Sequence, residues 1–211
     1  MRALITGCDT GLGKILYEEL TKQGSFILPH FKNEPHQNSI IGDINDEITR
    51  DFISLQLNKY NIDTFINNAA IYKHDNFLSH TDDEIKKMLE TNLISPILLT
   101  KKICQWFQQR GDGLIININS IACKNPGAKE TIYTASKTGL EGFSKSLQIE
   151  FIGTKIKVID IYLGAMKTPM SQWRQNFEEL IDPHEVADLI INVASAKYRA
   201  LIPTEITIRR R

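Results

Sequence analysis

The first 23 residues constrain the fold most, because they combine a short apolar run, a glycine-rich turn and an amphipathic segment. The run at residues 3–6 is followed by Gly7, Gly11 and Gly13, and residues 14–23 then have apolar side chains at helical spacing. A strand, a glycine turn and a helix in this order open a dinucleotide-binding unit. The glycines let the backbone approach a pyrophosphate, and the helix N-terminus presents N–H groups to it. Glycine-rich turns are common, so this feature alone decides little.

The rest of the chain continues the alternation of short apolar strands with amphipathic helices. Strands are predicted at residues 3–6, 25–28, 39–41, 63–66, 114–118, 156–163 and 200–208. Helices are predicted at residues 14–23, 46–60, 82–110, 133–152 and 183–196. This order predicts an α/β fold: a single doubly wound Rossmann-type domain over residues 1–211, with about seven parallel strands and helices on both faces.

Individual residues predict where some elements start and stop. Pro29 should end the second strand, because proline cannot donate to a central ladder. Thr81 and Glu84 have the spacing of a capping box at the start of the long helix. Pro96 predicts a kink or break inside that helix, and the two glycines after residue 110 should end it.

Composition excludes several classes of protein. The 211 residues are 42% apolar and carry 25 basic and 25 acidic side chains, so no overall field favours nucleic acid or an anionic membrane. Cys8, Cys104 and Cys123 are scattered, which predicts neither a disulfide framework nor a metal site. No apolar run approaches membrane-spanning length, and the first strand follows Met1 and Arg2 directly. We expect a cytoplasmic protein that binds no metal.

A possible proton-transfer site lies between residues 119 and 137. Ser120 ends an apolar strand, and Tyr133 precedes Lys137 by four residues, so the phenol and the ammonium share one helix face. A Tyr and a Lys at this spacing occur often by chance, and the pair gains meaning only from the glycine turn and from Asn92 on the long helix.

In this order the residues resemble the short-chain dehydrogenase/reductase family over almost the whole chain. The family motif T-G-x-x-x-G-x-G is matched by Thr6, Gly7, Gly11 and Gly13, its Asp after the third strand by Asp43, and its N-N-A-G by Asn67, Asn68, Ala69 and Ala70. Its P-G-x-x-x-T segment appears as Leu163, Gly164 and Thr168, without the proline. Its catalytic residues match Asn92, Ser120, Tyr133 and Lys137.

The resemblance implies an oxidoreductase that transfers hydride between a nicotinamide and a ketone, aldehyde or secondary alcohol. The cofactor residues expected on this basis are Thr6, Gly7, Thr10, Gly11, Leu12, Gly13, Lys32, Asp43, Ile44, Asn68, Ala69, Ala70, Tyr133, Lys137, Gly164, Met166 and Thr168.

The resemblance also assigns a role to each catalytic residue. Tyr133 would be the general acid/base, and Ser120 would donate to the carbonyl oxygen. Asn92 would hold a water that links Lys137 to solvent. A free tyrosine has a pKa near 10, and moving it near 7 requires about 4 kcal/mol. One cation about 4 Å away supplies about that much, so we expect Lys137 to lower the pKa of Tyr133.

The end of the second strand bears on the choice of nicotinamide. An acid there usually binds the ribose 2′-hydroxyl of NAD. This chain has Lys32 instead, preceded by His30, and both could pair with a 2′-phosphate. The alternative is that both are solvated loop residues. We therefore expect NADP rather than NAD.

The substrate is not determined by the sequence. Six residues could line an apolar pocket or simply pack on the sheet: Ile71, Tyr72, Met166, Met170, Trp173 and Phe177. Lys124 and Lys129 could favour an anionic substrate at the mouth or be solvated.

Other kinds of protein remain as alternatives. One is a non-catalytic nucleotide-binding regulator or scaffold on the same fold. A sugar-nucleotide epimerase is disfavoured, because no substrate domain fits after residue 170. By the family resemblance, a homodimer or homotetramer should form through the helices at 82–110 and 133–152.

Overall fold

A computed structural model describes residues 1–33, 39–196 and 203–210. The strands are β1 (Arg2–Thr6), β2 (Phe26–Phe31), β3 (Ile40–Ile41), β4 (Thr64–Asn67), β5 (Gly113–Ser120), β6 (Ile156–Leu163) and β7 (Glu205–Ile208). The helices are α1 (Gly11–Lys22), α2 (Glu47–Lys59), α3 (Asp82–Leu89), α4 (Ser95–Arg110), α5 (Thr131–Glu150) and α6 (Pro183–Ser195). The strands form one parallel sheet in the order β3-β2-β1-β4-β5-β6-β7. The predicted doubly wound α/β fold is confirmed.

Both faces of the sheet are covered, which explains why the central strands are apolar throughout. On one face, Leu16 of α1 and Ile190 of α6 are buried against alternate strand residues such as Ile5. On the other face, α2, α4 and α5 pack against the intervening residues, among them Leu4 and Phe65. Among the described residues, no helix has both the length and the apolar character needed to cross a bilayer.

The prediction that Pro29 ends the second strand is wrong, since β2 continues through it to Phe31. His30 O accepts from Cys8 N next to β1, so His30 directs its backbone groups to that side. Backbone direction alternates along a strand, and Pro29 therefore faces the β3 side. Among the described residues β3 pairs there only with His30 and Phe31, so no described strand residue pairs with Pro29 on that side.

The long predicted helix is divided into three parts. Thr81 and Glu84 form the predicted capping box at the start of α3. A π-helical turn, Glu90–Ile94, then separates α3 from α4. Pro96 lies in the first turn of α4, where it needs no N–H partner. The predicted break is confirmed, and it begins several residues before the proline.

Of the two glycines predicted to end the long helix, Gly111 does so, in a left-handed conformation with φ 91°. Gly113 already belongs to β5, where a Cβ would lie 2.2 Å from the Phe107 ring. The last strand is described from Glu205, and residues 197–202 of its predicted region lie outside the described residues.

Candidate active site

A cleft of about 550 Å³ opens at the carboxyl ends of the parallel strands, next to the point where the strand order reverses between β1 and β4. Ligands of open α/β sheets bind at this position. Most predicted site residues line the cleft: Gly7, Thr10, Gly11, Leu12, Lys32, Asp43, Ile44, Asn68, Ala69, Ala70, Ser120, Tyr133, Lys137, Gly164, Met166 and Thr168. Thr6, Gly13 and Asn92 are the predicted residues that lie behind this lining.

The glycine turn packs so closely on itself and on the loop after β4 that side chains at its glycines would clash. A Cβ on Gly13 would lie 2.1 Å from Gly7 O, and one on Gly7 would lie 2.9 Å from the Cα of Ala69. Gly7 also has φ 72°, which favours glycine. Thr10 precedes α1 without capping it through its side chain. The first N–H groups of α1 therefore point to the cleft without a side-chain partner, as an anion site requires.

Thr6 and Asn68 hold the turn in place from behind. The Thr6 hydroxyl oxygen accepts from Asn68 N at 3.0 Å and Ala69 N at 3.1 Å. The Asn68 amide donates to Thr6 O at 2.9 Å and Gly7 O at 3.1 Å. Thr6 is buried and does not line the cleft, so its side chain supports the glycine turn from behind.

Lys32 directly follows β2 and lies next to two carboxylates, those of Asp9 and Asp43. Lys32 forms an ion pair with Asp43, and its side chain remains 48% exposed. Burial of Asp43 raises its pKa, but hydrogen bonds from Lys32 and the Asn45 N–H outweigh this and hold it below its usual range. Asp9, which the sequence analysis did not single out, accepts from Lys32 N at both carboxylate oxygens, at 3.1 and 2.9 Å. An acid within the glycine turn is the signal that was missed.

The expectation that His30 pairs with a phosphate is wrong. His30 is 2% exposed, and burial lowers its pKa, so the ring is neutral near pH 7. Its Nδ1 accepts from Gly7 N at 3.4 Å, and its Nε2 lies 3.0 Å from Gly42 O. His30 therefore joins the glycine turn to the end of β3.

Ser120 is the last residue of β5, where it pairs with Leu163 of β6, and the turn that follows orients its side chain. Its Oγ accepts from Ala122 N at 3.1 Å, so its hydroxyl proton can donate on the side of the cleft where Tyr133 lies.

The chain by itself does not give the lowered Tyr133 pKa that Lys137, helped by a positive nicotinamide, is expected to produce. Burial raises the pKa of Tyr133 to about 12, although the neighbouring Ser120 hydroxyl opposes the rise. Burial also lowers the pKa of Lys137 to about 8. The Lys137 ammonium donates to Ile118 O at 2.9 Å. Desolvation is therefore the largest influence on the pKa of each group.

Asn92 lies in the π-helical turn and is fully buried. Its Oδ1 accepts from Ile71 N at 2.8 Å, and its Nδ2 donates to Ile71 O at 2.8 Å and to Ser136 Oγ at 3.1 Å. Both amide hydrogens are thus engaged. The side chain fixes the loop after β4 against α5, beside Tyr133.

The comparisons agree with this geometry. A family model for short chain dehydrogenase matches residues 1–179. The chain belongs to this family. It is 28% identical, over 92% of its length and 83% of the relative, to the 3-oxoacyl-(acyl-carrier-protein) reductase of Haemophilus influenzae. It is also 30% identical to nodulation protein G of Rhizobium meliloti, over 81% of this chain and 75% of that protein.

Solved structures of the family share the fold. A 3-ketoacyl-(acyl-carrier-protein) reductase from Brucella melitensis, complexed with NADH, aligns with a TM-score of 0.87 at 21% identity over 98% of this chain and 95% of that one. The closed form of a serine dehydrogenase complexed with NADP+ aligns with a TM-score of 0.88 at 22% identity, over 99% and 94%. The protein is an oxidoreductase of the short-chain dehydrogenase family.

Two departures from the family motifs are accommodated by the backbone. Ala70 replaces a glycine, and it is not among the described residues with positive φ, so its Cβ is tolerated. Leu163 replaces a proline at the end of β6, where Gly164 N donates to Ile208 O at 2.9 Å. The neighbouring strand thus supplies the rigidity that the proline would give.

Two charged residues that line the cleft, Glu130 and Arg174, were not singled out in the sequence. Glu130, which immediately precedes α5, accepts from the Tyr72 hydroxyl at 2.9 Å and from Arg174 at 3.2 Å. The Tyr72 ring meets the Tyr133 ring edge-on, with centroids 4.9 Å apart. Trp173 stacks on His74 at 3.9 Å. Glu130 precedes Tyr133 by only three residues, so the sequence itself could have drawn attention to it.

Of the six predicted apolar residues, four line the cleft: Ile71, Tyr72, Met166 and Met170. Trp173 and Phe177 lie outside this lining. Lys124 is also outside it, because its ammonium lies 4.0 Å from the Tyr162 ring centroid and pairs with Glu205. Lys129 does not line the cleft either. Arg174, a cation not singled out in the sequence, does line the cleft and lies next to Glu130.

Proposed function

We propose that this protein is an NAD(P)-dependent short-chain dehydrogenase/reductase that interconverts a ketone or aldehyde with the corresponding alcohol. The observation that carries the proposal is that Ser120, Tyr133 and Lys137 meet in the same cleft as the glycine turn after β1. A scaffold would need the turn but not the three proton-handling groups. The comparisons give the non-catalytic alternative no support.

The cleft residues fit a dinucleotide. Side chains at Gly7 and Gly13 would clash with the packed turn, and the uncapped start of α1 suits a pyrophosphate. Gly164, Met166 and Thr168 also line the cleft, and Thr168 lies close to Gly11, since a Cβ there would be 3.5 Å from Thr168 Cβ. When bound there, the nicotinamide supplies or accepts the hydride.

Ser120 and Tyr133 supply the polar half of the reaction. Ser120 donates its free hydroxyl proton to the carbonyl oxygen and stabilises the negative charge that develops on it. Tyr133, with a pKa of about 12, keeps its proton at neutral pH and can give it to the alkoxide. This protonation state supports the reductive direction.

Lys137 and Asn92 support the tyrosine. The Lys137 ammonium, held at Ile118 O, can contact the ribose hydroxyls and replace the proton that Tyr133 loses. The remaining lone pair of Asn92 Oδ1 can hold the water expected between Lys137 and solvent.

The experiment that tests the proposal is a panel of carbonyl compounds assayed with NADPH and with NADH. The panel includes a 3-oxoacyl thioester, since several similar proteins are 3-oxoacyl-(acyl-carrier-protein) reductases. Oxidation of the cofactor with at least one carbonyl supports the proposal. Cofactor binding without turnover across the panel would favour the regulator instead.

NADP is the favoured cofactor, because the Lys32 ammonium is half-exposed at the β2 end of the cleft. Asp9, the acid that could bind ribose hydroxyls, is already engaged by the N–H groups of Lys32 and Asn33. We expect Lys32→Glu to raise the KM for NADPH about tenfold or more relative to that for NADH, because a charge-assisted hydrogen bond is worth about 1.5–3 kcal/mol. Lys14→Glu, an exposed change on α1, is the control. An unchanged ratio of the two KM values would contradict the NADP assignment.

We also propose a homodimer or homotetramer formed through α3, α4 and α5. Apolar side chains remain exposed there, with Leu98 at 40% and Ile149 at 69%. We expect light scattering at micromolar concentration to give at least twice the chain mass, and Leu98→Glu to lower it. Ile48→Glu, on the exposed face of α2, is the matched control. A stable monomer of the unaltered protein would refute the proposal.

A further inference from the structure

Arg174 lies at the substrate side of the cleft, in the segment between β6 and α6. Its side chain is 32% exposed and lines the cleft. The guanidinium carbon is 4.7 Å from the Trp173 ring centroid, and Trp173 in turn stacks on His74. This cation–π contact helps to hold the guanidinium at this place in the cleft.

The guanidinium has donors to spare. Within the described part of the chain, the Arg174 guanidinium makes one hydrogen bond, from Nη2 to Glu130 Oε1 at 3.2 Å. The same oxygen already accepts from the Tyr72 hydroxyl at 2.9 Å, so the contact with Glu130 is not the two-point pairing that guanidinium and carboxylate can form. Of five N–H donors, the others remain available. Partly exposed ion pairs of this kind contribute little, about 0–1 kcal/mol, so the pair does not prevent a second acceptor from binding.

The position of Arg174 relative to the reacting groups is also defined. Glu130 and Tyr133 are three residues apart at the start of α5, on one side of the helix. The Tyr72 ring bridges them, in contact with Tyr133 and hydrogen-bonded to Glu130. An acceptor held by Arg174 is therefore one aromatic ring away from the phenol that protonates the substrate.

The other cations that line the described cleft have other places or contacts. Lys32 and Lys87 both act on Asp43 at the β2 end, where Lys32 is the residue proposed to bind the 2′-phosphate. Lys137 is bonded to Ile118 O. Arg174 is thus the cation left to select a substrate.

We propose that the substrate is an oxo acid, whose carboxylate is held by Arg174 while its carbonyl lies between Ser120 and Tyr133. This inference rests on the proposed function and names its substrate class. Glu130 next to Arg174 repels added negative charge, and it repels a dianionic phosphate more strongly than a monoanionic carboxylate. The balance therefore favours a carboxylate.

The test compares acids with their neutral methyl esters as substrates, with NADPH at pH 7. The probes are 3-oxobutanoate and 4-oxopentanoate, which place the carbonyl at two distances from the carboxylate. We expect the protein to prefer one acid to its ester by about tenfold or more in kcat/KM, chiefly through KM, since a charge-assisted pair is lost in the ester. Arg174→Met should reduce this acid-to-ester ratio by about tenfold, and Arg174→Lys should restore part of it.

Lys167→Met, which removes a lysine of the same segment that does not line the cleft, is the matched control and should leave the ratio unchanged. Competitive inhibition by butanoate, a monoanionic carboxylate that has no carbonyl to reduce, gives a second measurement that does not depend on turnover of the acid, and it should be weakened in Arg174→Met. Equal use of acid and ester by the unaltered protein, or an unchanged ratio in Arg174→Met, would overturn the inference alone. Absence of turnover with both acids and both esters would also overturn the inference, whereas the proposed function is decided separately by the wider carbonyl panel.

Discussion

Tyr133→Phe should lower kcat for carbonyl reduction by roughly 100- to 10,000-fold, the usual contribution of a general acid/base. The change removes the phenolic oxygen and keeps the ring that packs edge-on against Tyr72. The substitution does not alter the glycine turn after β1. The Kd for NADPH should therefore remain within about threefold of that of the unaltered protein. Steady-state kinetics and NADPH fluorescence titration measure the two effects separately.

Tyr72→Phe provides the matched control for this result. It removes a phenolic oxygen from a ring 4.9 Å away, whose hydroxyl bonds Glu130 and not the reacting groups. Its effect on kcat for a neutral ester should be much smaller than that of Tyr133→Phe. If Tyr133→Phe retained activity within tenfold of the unaltered protein, the assignment of Tyr133 as the acid would be wrong.

Asp160 is the site of the second large effect, which concerns stability. It lies in β6 between Asn117 of β5 and Glu205 of β7 and is 0% exposed. Among the described residues, neither of its carboxylate oxygens has a partner in hydrogen-bonding geometry. Its pKa is raised to about 7, chiefly by burial and also by the nearby Glu205 and Glu141, while the neighbouring Ser144 hydroxyl opposes the rise.

This raised pKa makes the folded protein less stable as the pH rises. Between pH 3.8 and about 7 the folded state keeps the proton of Asp160 and the unfolded state has lost it, so the free energy of unfolding falls across this range. Asp160→Asn removes the titration. We expect the variant to exceed the unaltered protein by about 4 kcal/mol at pH 8 and by little at pH 4.

Urea unfolding at several pH values and one protein concentration measures this difference. Asp188→Asn, which removes an exposed carboxylate on α6, is the control and should show no comparable dependence on pH. If Asp160→Asn were equally or less stable than the unaltered protein at pH 8, the assignment of a buried, proton-holding carboxyl would be contradicted.

Much of the fold follows from local sequence patterns. The apolar runs around Ile5, Ile116 and Ile159 are buried on both faces, and such runs predict parallel strands without knowledge of their partners. The capping box at Thr81 is equally local. Pro29 shows the limit of this reasoning, because its tolerance depends on how far β3 extends along β2.

The sequence by itself determined which groups are present in the candidate site, since Ser120, Tyr133, Lys137 and the glycine turn are recognisable from their order and spacing. Only the tertiary structure decided how they behave. Desolvation raises the pKa of Tyr133 and lowers that of Lys137, and burial neutralises His30. The packing of distant segments also brings Arg174 next to Glu130, which lies 44 positions away in the chain. Spacing fixes local geometry, but the local dielectric and the contacts between distant segments exist only once the sheet and helices have packed.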